Sequence, residues 1–316
     1  MELIRMTSKN SIIKTKLDSY IDYLHCLKNK GGLEPEDYPV FEKWLQQITY
    51  DIANGKLSSQ DMEAIRDAFG NAALTLKTLQ GHVFLKPHGY AGDFEIIDKI
   101  YCHHIAEKKH FAEWDLYFHS TAAVQAVRNR KTYFIELLKS LEITRLNSQA
   151  EKFDILNIAS GSGRDMQEFF LECPENGLFF DCLDLDVNAI NFAQNLCSTW
   201  LSQISFQKAN ALRFSTDKKY RLIWSAGLFD YFNDKTFKFM LQRYFPMLEE
   251  GGEMVIGNFS ENNPSRDYME IVGEWHLNHR SKEKLIELAQ ECNLSASSIT
   301  LGQEPLGVNL FLHIKA

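Results

Sequence analysis

A carboxylate, Asp184, stands 21 residues beyond Gly163, and Gly163 closes the run Ala159-Ser160-Gly161-Ser162-Gly163. Before that turn Ile155, Leu156 and Ile158 make a short apolar stretch; after it Met166, Phe169 and Phe170 recur at helical spacing. The pattern is strand, glycine turn, helix. Gly161 and Gly163 let the backbone bend sharply and approach a ligand, because no Cβ intervenes. The helix that follows offers unsatisfied N–H groups and a positive dipole end. Asp184 ends the next apolar run, 178–183, where a βαβ unit sets a carboxylate beside a ribose. Together these residues describe a nucleoside site at the carboxyl edge of a parallel sheet. A dinucleotide site is disfavoured, because its third glycine is here Met166. The run 159–163 also fails the Gly-x-Ser-x-Gly elbow of serine hydrolases.

The turn resembles the first motif of class I S-adenosylmethionine-dependent methyltransferases. The resemblance implies S-adenosylmethionine as cofactor and S-adenosylhomocysteine as product. It would pass Gly161 and Gly163 under the methionine part and give both ribose hydroxyls to Asp184. Asn210, at the end of the run 204–206, would read the adenine amino group with its carbonyl. Ala159, Ser160, Asp165, Leu185, Ala211 and Ser225 complete this side of the candidate cofactor site. Asp186 could touch the ribose, but capping the next helix is the simpler role.

At 316 residues the chain exceeds one average domain, and 45% hydrophobic residues can bury a sizeable core. A formal net charge of -8 argues against a nucleic-acid partner and for a small-molecule or carrier-bound acyl substrate. The six cysteines show no pair at metal-ligand spacing, so no metal is expected, and free thiols in a reducing compartment are the reading. The start lacks an apolar h-region and no run approaches ~18 apolar residues, so a cytoplasmic protein without stable membrane insertion is expected.

The first half reads as helices. Ile13, Leu17, Tyr20, Ile21, Leu24 and Leu27 share a face over 12–27 and stop at Gly31-Gly32. A second helix covers 40–52, and a third starts near Ser58 or Ser59, a plausible N-cap, and runs to Leu79. The stretch 81–95 then carries three glycines, a proline, Lys86, His88, Tyr90 and Asp93. It reads either as a connecting loop or as a gate over a site, with Tyr90 touching cofactor. The segment 111–141 is one long helical pattern. On it Arg128 and Arg130 are either solvated, or one of them pairs the carboxylate of the cofactor's methionine, Arg128 being the candidate. The polar stretch 142–152 is taken as the domain boundary, giving a helical domain over 1–148 and a cofactor domain over 149–316; a homodimer through the helical half is left open.

In the second half, apolar runs at 220–225 and 254–256 are the fourth and fifth strands, with Gly251-Gly252 ending the helix between them. The tail places strands at 298–301 and 309–314, too close in sequence for a parallel crossover and right for a hairpin. The fold class is therefore α/β: a seven-stranded, mostly parallel, Rossmann-like sheet with an antiparallel C-terminal hairpin, preceded by an α-helical domain.

Three stretches, Lys86-Pro87-His88-Gly89-Tyr90-Ala91-Gly92-Asp93, Arg128-Asn129-Arg130 and Ser225-Ala226-Gly227-Leu228-Phe229-Asp230-Tyr231, are together similar to the bacterial proteins that make a 3-hydroxypalmitate methyl ester, a quorum-sensing extracellular factor. That likeness implies O-methylation of a carboxylate on an acyl or natural-product substrate, in secondary metabolism. The alternatives are an N- or hydroxyl O-methyltransferase, or a cofactor-binding regulatory protein without turnover. A carboxylate is already ionised and needs no base; other acceptors need one, from His88, Tyr90, Asp230, Tyr231 or His276. The expected catalytic set is Tyr90, Asp230, Tyr231 and Arg280, the arginine orienting an acceptor carboxylate. Phe229, Asn258, Tyr268 and Trp275 are the expected substrate walls.

Overall fold

The computed structural model describes residues 2–316, with side chains from Lys16 onward. The side chain of Ile13 therefore lies outside the described residues. The chain divides into two compact units, 1–124 with 264–276, and 125–263 with 277–316.

In the helical unit, α1 (Glu2–Lys30) buries Tyr20, Leu24 and Leu27 and ends where the N–H groups of Gly31 and Gly32 both reach the Leu27 carbonyl. Helix α2 (Tyr38–Ala53) buries Phe41, Trp44, Leu45 and Ile48. Helix α3 (Ser59–Ala73) is capped by Ser58 and kinks at Gly70, so the expected run to Leu79 stops early. Helices α4 (Leu79–Leu85) and α5 (Phe94–Tyr101) take both ends of the glycine-rich stretch, leaving only Lys86 to Asp93 as a connection. Helix α6 (Lys109–Ser120) is separated from α7 (Ala122–Ser148) by Thr121, whose extended backbone breaks the single helix expected over 111–141. Phe41, Trp44, Phe69, Trp114, Tyr117 and Tyr268 pack edge to face or stacked around one aromatic centre.

The sheet unit opens with β1 (Phe153–Ile158), α8 (Arg164–Glu172), β2 (Leu178–Asp184), α9 (Val187–Leu196), β3 (Ile204–Lys208), β4 (Tyr220–Ser225), α10 (Asp234–Tyr244) and β5 (Leu248–Phe259). After α11 (Arg266–Ile271), which lies in the helical unit, come α12 (Lys282–Gln290), β6 (Ile299–Gln303) and β7 (Asn309–Lys315). The seven strands run in the order β3-β2-β1-β4-β5-β7-β6, all parallel except β7, which is antiparallel to both β5 and β6. This is the expected sheet.

Strand alternation sorts the two faces. Leu156, Ile158, Ile223, Met254, Ile256, Leu310 and Leu312 face α10 and α12, whereas Ile155, Leu222, Trp224, Val255 and Phe311 face α7 and α8. Gly251 and Gly252 do not end α10. They lie in β5, where its register against β4 slips from Tyr220–Leu248 to Leu222–Glu253.

The compact units do not meet at residue 148. Most of α7 packs on the sheet through Phe134, Ile135 and Leu138, and the polar stretch expected as a boundary is its last turns. There Arg145 pairs with Glu142, which also accepts the Gly177 N–H at 3.2 Å, fastening the helix end to the turn before β2. Among the described residues no helix is long and apolar enough to cross a membrane.

Candidate functional site

Beyond Ile158 the backbone enters the left-handed region at every second residue: Ala159 at φ +56°, Gly161 at +60° and Gly163 at +70°. The zigzag reverses the chain and starts α8. Gly163 has a packing reason as well, since a Cβ there would meet Ala193 Cβ at 3.2 Å, Met166 Cε at 3.3 Å and Cys197 Sγ at 3.4 Å. A Cβ on Gly161 would meet nothing within 4 Å, so the space over this residue is open.

Asp184 ties this turn to β2. One carboxylate oxygen accepts the Gly161 N–H at 2.9 Å, the other accepts the Asp186 N–H at 2.9 Å, and the Ser160 N–H reaches the Leu183 carbonyl. Burial raises the Asp184 carboxyl above its usual range and the N–H bonds pull it back. Each oxygen keeps a lone pair for a further donor. The Ala209 N–H donates to the Asp184 carbonyl, which brings Asn210 and Ala211 alongside, and Leu185 projects 63% exposed next to the carboxylate. Asp186 caps α9 through the Asn188 N–H, as expected.

Open space over Gly161, a diol-sized acceptor at Asp184 and an exposed apolar Leu185 fit a nucleoside with an extended tail. Ala159, Ser160, Gly161, Gly163, Asp184, Leu185, Asn210 and Ala211 are thus brought to one edge. Asn210 is corrected in one respect: its side-chain carbonyl already accepts the Leu212 N–H at 2.9 Å. Ser225 is corrected too. It is fully buried and its hydroxyl donates to the Ile158 carbonyl, so it sets the root of the turn rather than facing a ligand. Arg128 is half-buried on α7, where burial lowers its pKa.

Several expected acceptor-side residues prove structural. Arg280 is 4% exposed, and its Nε donates to Asp234 (3.1 Å), Nη1 to Asn258 Oδ1 (2.8 Å) and Nη2 to the Phe232 carbonyl (2.6 Å). It knots the ends of β4 and β5 to the 277–280 segment, with its charge over the Phe237 ring, and cannot also orient an acceptor. Asn258 is fully buried in the same knot and Phe229 is core. Asp230 is 1% exposed, accepts the Phe259 N–H at 2.6 Å, and is sealed from any acceptor. Tyr231, by contrast, is 41% exposed at this edge.

Tyr90, Tyr268 and Trp275 belong to the helical unit. Tyr268 and Trp275 are buried, and the Tyr268 hydroxyl donates to Gln80 at 2.5 Å. Tyr90 is exposed on the connection between α4 and α5. The base of that connection is pinned: Asp93 caps α5 and is buried against His82 at 2.9 Å, and His88 meets Glu95 at 2.9 Å. Asp93 is therefore a cap, not part of a gate.

The structure adds Arg130 and Gly227, which the sequence shows only as members of short motifs. Arg130 is buried, and a Cβ on Gly227 would lie 2.7 Å from its Nη1. Asn129, between the two arginines, donates to Glu304 at 2.7 Å and so braces the hairpin instead.

A seven-stranded sheet with this glycine turn and strand-end carboxylate defines the class I methyltransferase architecture, and residues 155–252 match the family model described as a methyltransferase domain. With that domain the chain is an S-adenosylmethionine-dependent methyltransferase, and S-adenosylmethionine is its cofactor. No curated protein matches the sequence. Among solved structures, the chain is similar to a "possible exported protein" from Bordetella parapertussis (15% identity, TM-score 0.57, covering 71% of this chain and 79% of that one). It is also similar to the N-methyltransferase NodS from Bradyrhizobium japonicum in complex with S-adenosylhomocysteine (20%, 0.39, 57% and 87%). A third likeness is to magnesium protoporphyrin IX methyltransferase from Synechocystis (10%, 0.46, 61% and 86%).

Proposed function

We propose that the acceptor is a carboxylate on an acyl or natural-product substrate and that the product is its methyl ester. The observation that carries this reading is the sealing of Asp230. Of the acid–base candidates at the carboxyl edge of the sheet unit, Asp230 is buried with its Oδ1 engaged by the Phe259 N–H, and the exposed Tyr231 is a phenol rather than a carboxylate or imidazole. An amine or hydroxyl acceptor must lose a proton during transfer, whereas a carboxylate arrives ionised.

Bound S-adenosylmethionine supplies an electrophilic methyl on a sulfonium. The chain's part is to hold donor and acceptor in line with reacting atoms about 3 Å apart. Asp184 and the 159–163 turn would fix the nucleoside and methionine parts, Asn210 and Ala211 the adenine, and Arg128 the methionine carboxylate by a bidentate contact. The likeness to 3-hydroxypalmitate methyl ester proteins names a 3-hydroxy fatty acid as the first acceptor to try. A carrier-bound chain serves only if it presents a free carboxylate. We place this chemistry in the cytoplasm, which the six free cysteines support.

The test is incubation with S-adenosylmethionine and 3-hydroxy acids of graded length, reading methyl ester and S-adenosylhomocysteine across pH. Esters formed at a rate that is flat above the acceptor pKa support the proposal. Methylamine or ether products, or a rate that rises with pH beyond that point, overturn it.

A further inference from the structure

Helix α7 is tethered within the sheet unit through Asn129, Arg130, Lys131 and Tyr133. Asn129 donates from Nδ2 to Glu304 Oε2 at 2.7 Å, in the loop between β6 and β7. Arg130 lies against the β4 turn, where a Cβ on Gly227 would come within 2.7 Å of its Nη1. Lys131 pairs with Glu168 of α8 at 2.6 Å. Tyr133 stacks on Phe311 of β7, with ring centroids 3.9 Å apart, and its hydroxyl meets His313 Nε2 at 2.7 Å. That hydroxyl fits over β6 because residue 302 is glycine; a Cβ there would overlap it.

Glu304 organises the hairpin end and is buried. Its Oε1 accepts the Val308 and Asn309 N–H groups at 2.7 and 3.1 Å, and its Oε2 accepts the Leu306 N–H at 2.9 Å beside the Asn129 amide. Each oxygen thus holds two donors, and the amide from α7 completes the set. The Val308 carbonyl in turn takes the Ser260 N–H at 2.7 Å, just beyond β5.

We propose that Asn129 and Glu304 are positioning residues for the methionine end of the cofactor: through their bond the C-terminal hairpin sets the register of α7, which carries Arg128. This rests on the reading that Arg128 holds the methionine carboxylate. Neighbouring residues on a helix differ by about 1.5 Å in rise and about 100° in direction, so a bond that fixes Asn129 also fixes where the Arg128 side chain starts. A bidentate guanidinium contact needs that origin, because a misplacement of about 1 Å spoils such a geometry. The Tyr133 contacts, one helical turn on, hold the same face of the hairpin against roll.

The experiment titrates two ligands by calorimetry: S-adenosylhomocysteine, and methylthioadenosine, which keeps the nucleoside and thioether but has no amino-acid carboxylate. Asn129→Asp sets two carboxylates against each other. It should weaken S-adenosylhomocysteine at least about tenfold and methylthioadenosine by less than about twofold. Asn129→Asp combined with Glu304→Gln puts the donor on the other side of the same bond and should recover most of the lost affinity. Arg128→Gln should show the same selective loss, and adding Asn129→Asp to it should cost little more, because both act on one contact. Equal weakening of the two ligands, or no rescue in the double variant, overturns the proposal. Should Asn129→Asp not fold, Asn129→Ser, too short to reach Glu304, is read in its place by the selectivity of its loss. If Arg128→Gln leaves S-adenosylhomocysteine binding unchanged, the reading of Arg128 is what fails; a selective loss in Asn129→Asp would still support the register, and its absence would overturn it. If wild type binds neither ligand, the cofactor site fails. Hydrogen exchange over 126–134 then judges the register: it should rise in Asn129→Asp and fall back in the double variant, and no change overturns the proposal.

Discussion

Substituting alanine at the two glycines of the 159–163 turn should produce opposite rankings in stability and in cofactor affinity. Both residues have positive φ, so each alanine incurs about 1–2 kcal/mol of left-handed strain, offset by roughly 0.4–1 kcal/mol from a stiffer unfolded chain. For Gly161→Ala that is nearly the whole effect on folding, because the new Cβ meets nothing within 4 Å. Gly163→Ala adds crowding against Ala193, Met166 and Cys197 at 3.2–3.4 Å, worth about 1–3 kcal/mol more where the core cannot give way. Denaturant unfolding should therefore show a loss of about 0.5–1.5 kcal/mol for Gly161→Ala and about 2–4 kcal/mol for Gly163→Ala. Calorimetry with S-adenosylhomocysteine should reverse the order. The Gly161 methyl fills the open space over the turn and should weaken binding at least about tenfold, or 1.4 kcal/mol; the Gly163 methyl points into α9 and should matter less. Wild-type affinity in Gly161→Ala, or one ranking in both assays, would show that the open space over Gly161 is not where the cofactor lies. Ala159→Gly is the control, with an expected change within about 1 kcal/mol since its Cβ is already tolerated at φ +56°.

Asp184→Asn turns one N–H acceptor into a donor and removes the carboxylate offered to the ribose; S-adenosylhomocysteine affinity should fall by about 100-fold or more, with about 1–3 kcal/mol lost from folding, and a smaller loss in affinity would remove Asp184 from the site. Arg280→Met leaves the buried Asn258 Oδ1 and the Phe232 carbonyl without their donor, while the half-exposed Asp234 keeps Lys284, and should cost about 2–4 kcal/mol by denaturant melt; a neutral result would contradict the knot. In the helical unit, Tyr268→Phe leaves the buried Gln80 carbonyl without its hydroxyl donor, for a loss of about 1–3 kcal/mol. Asp51 is held down to about 2 against the opposing effect of its burial, by Lys16, Tyr20 and Lys56. A depressed carboxyl stabilises above its unfolded pKa, so that contribution should be complete above about pH 4, fade towards pH 2, and vanish from the profile of Asp51→Asn.

What the sequence made legible is what short-range pattern controls. The β1 turn, Asp184 at strand-end spacing, the short apolar strands, the hairpin, and the caps Ser58 and Asp186 each depend on neighbours within a few turns of chain. The acceptor edge was less legible because its side chains are spent on partners distant in sequence. Arg280 reaches back 46 residues to Asp234, and Tyr268 reaches 188 residues to Gln80. An arginine and an asparagine near a strand end look alike in sequence whether they face a ligand or knot two loops. The 81–95 stretch was read as one loop because its glycines and proline outweigh two short helices, one capped by Thr78 and the other by Asp93. The polar end of α7 looked like a linker because its charges pair with each other and with the Gly177 turn.

The return of 264–276 to the helical unit sets a timetable for synthesis. Phe41, Tyr117 and Phe118 leave the ribosome early, but the tyrosine that packs among them, Tyr268, follows roughly 150 residues after Tyr117. At about 5–20 residues per second that is on the order of ten to thirty seconds with an aromatic centre lacking one of its members. Until then the nascent helical unit leaves part of its aromatic surface uncovered. A stop codon anywhere before α11 would release a chain whose first unit cannot close, however intact its own helices are.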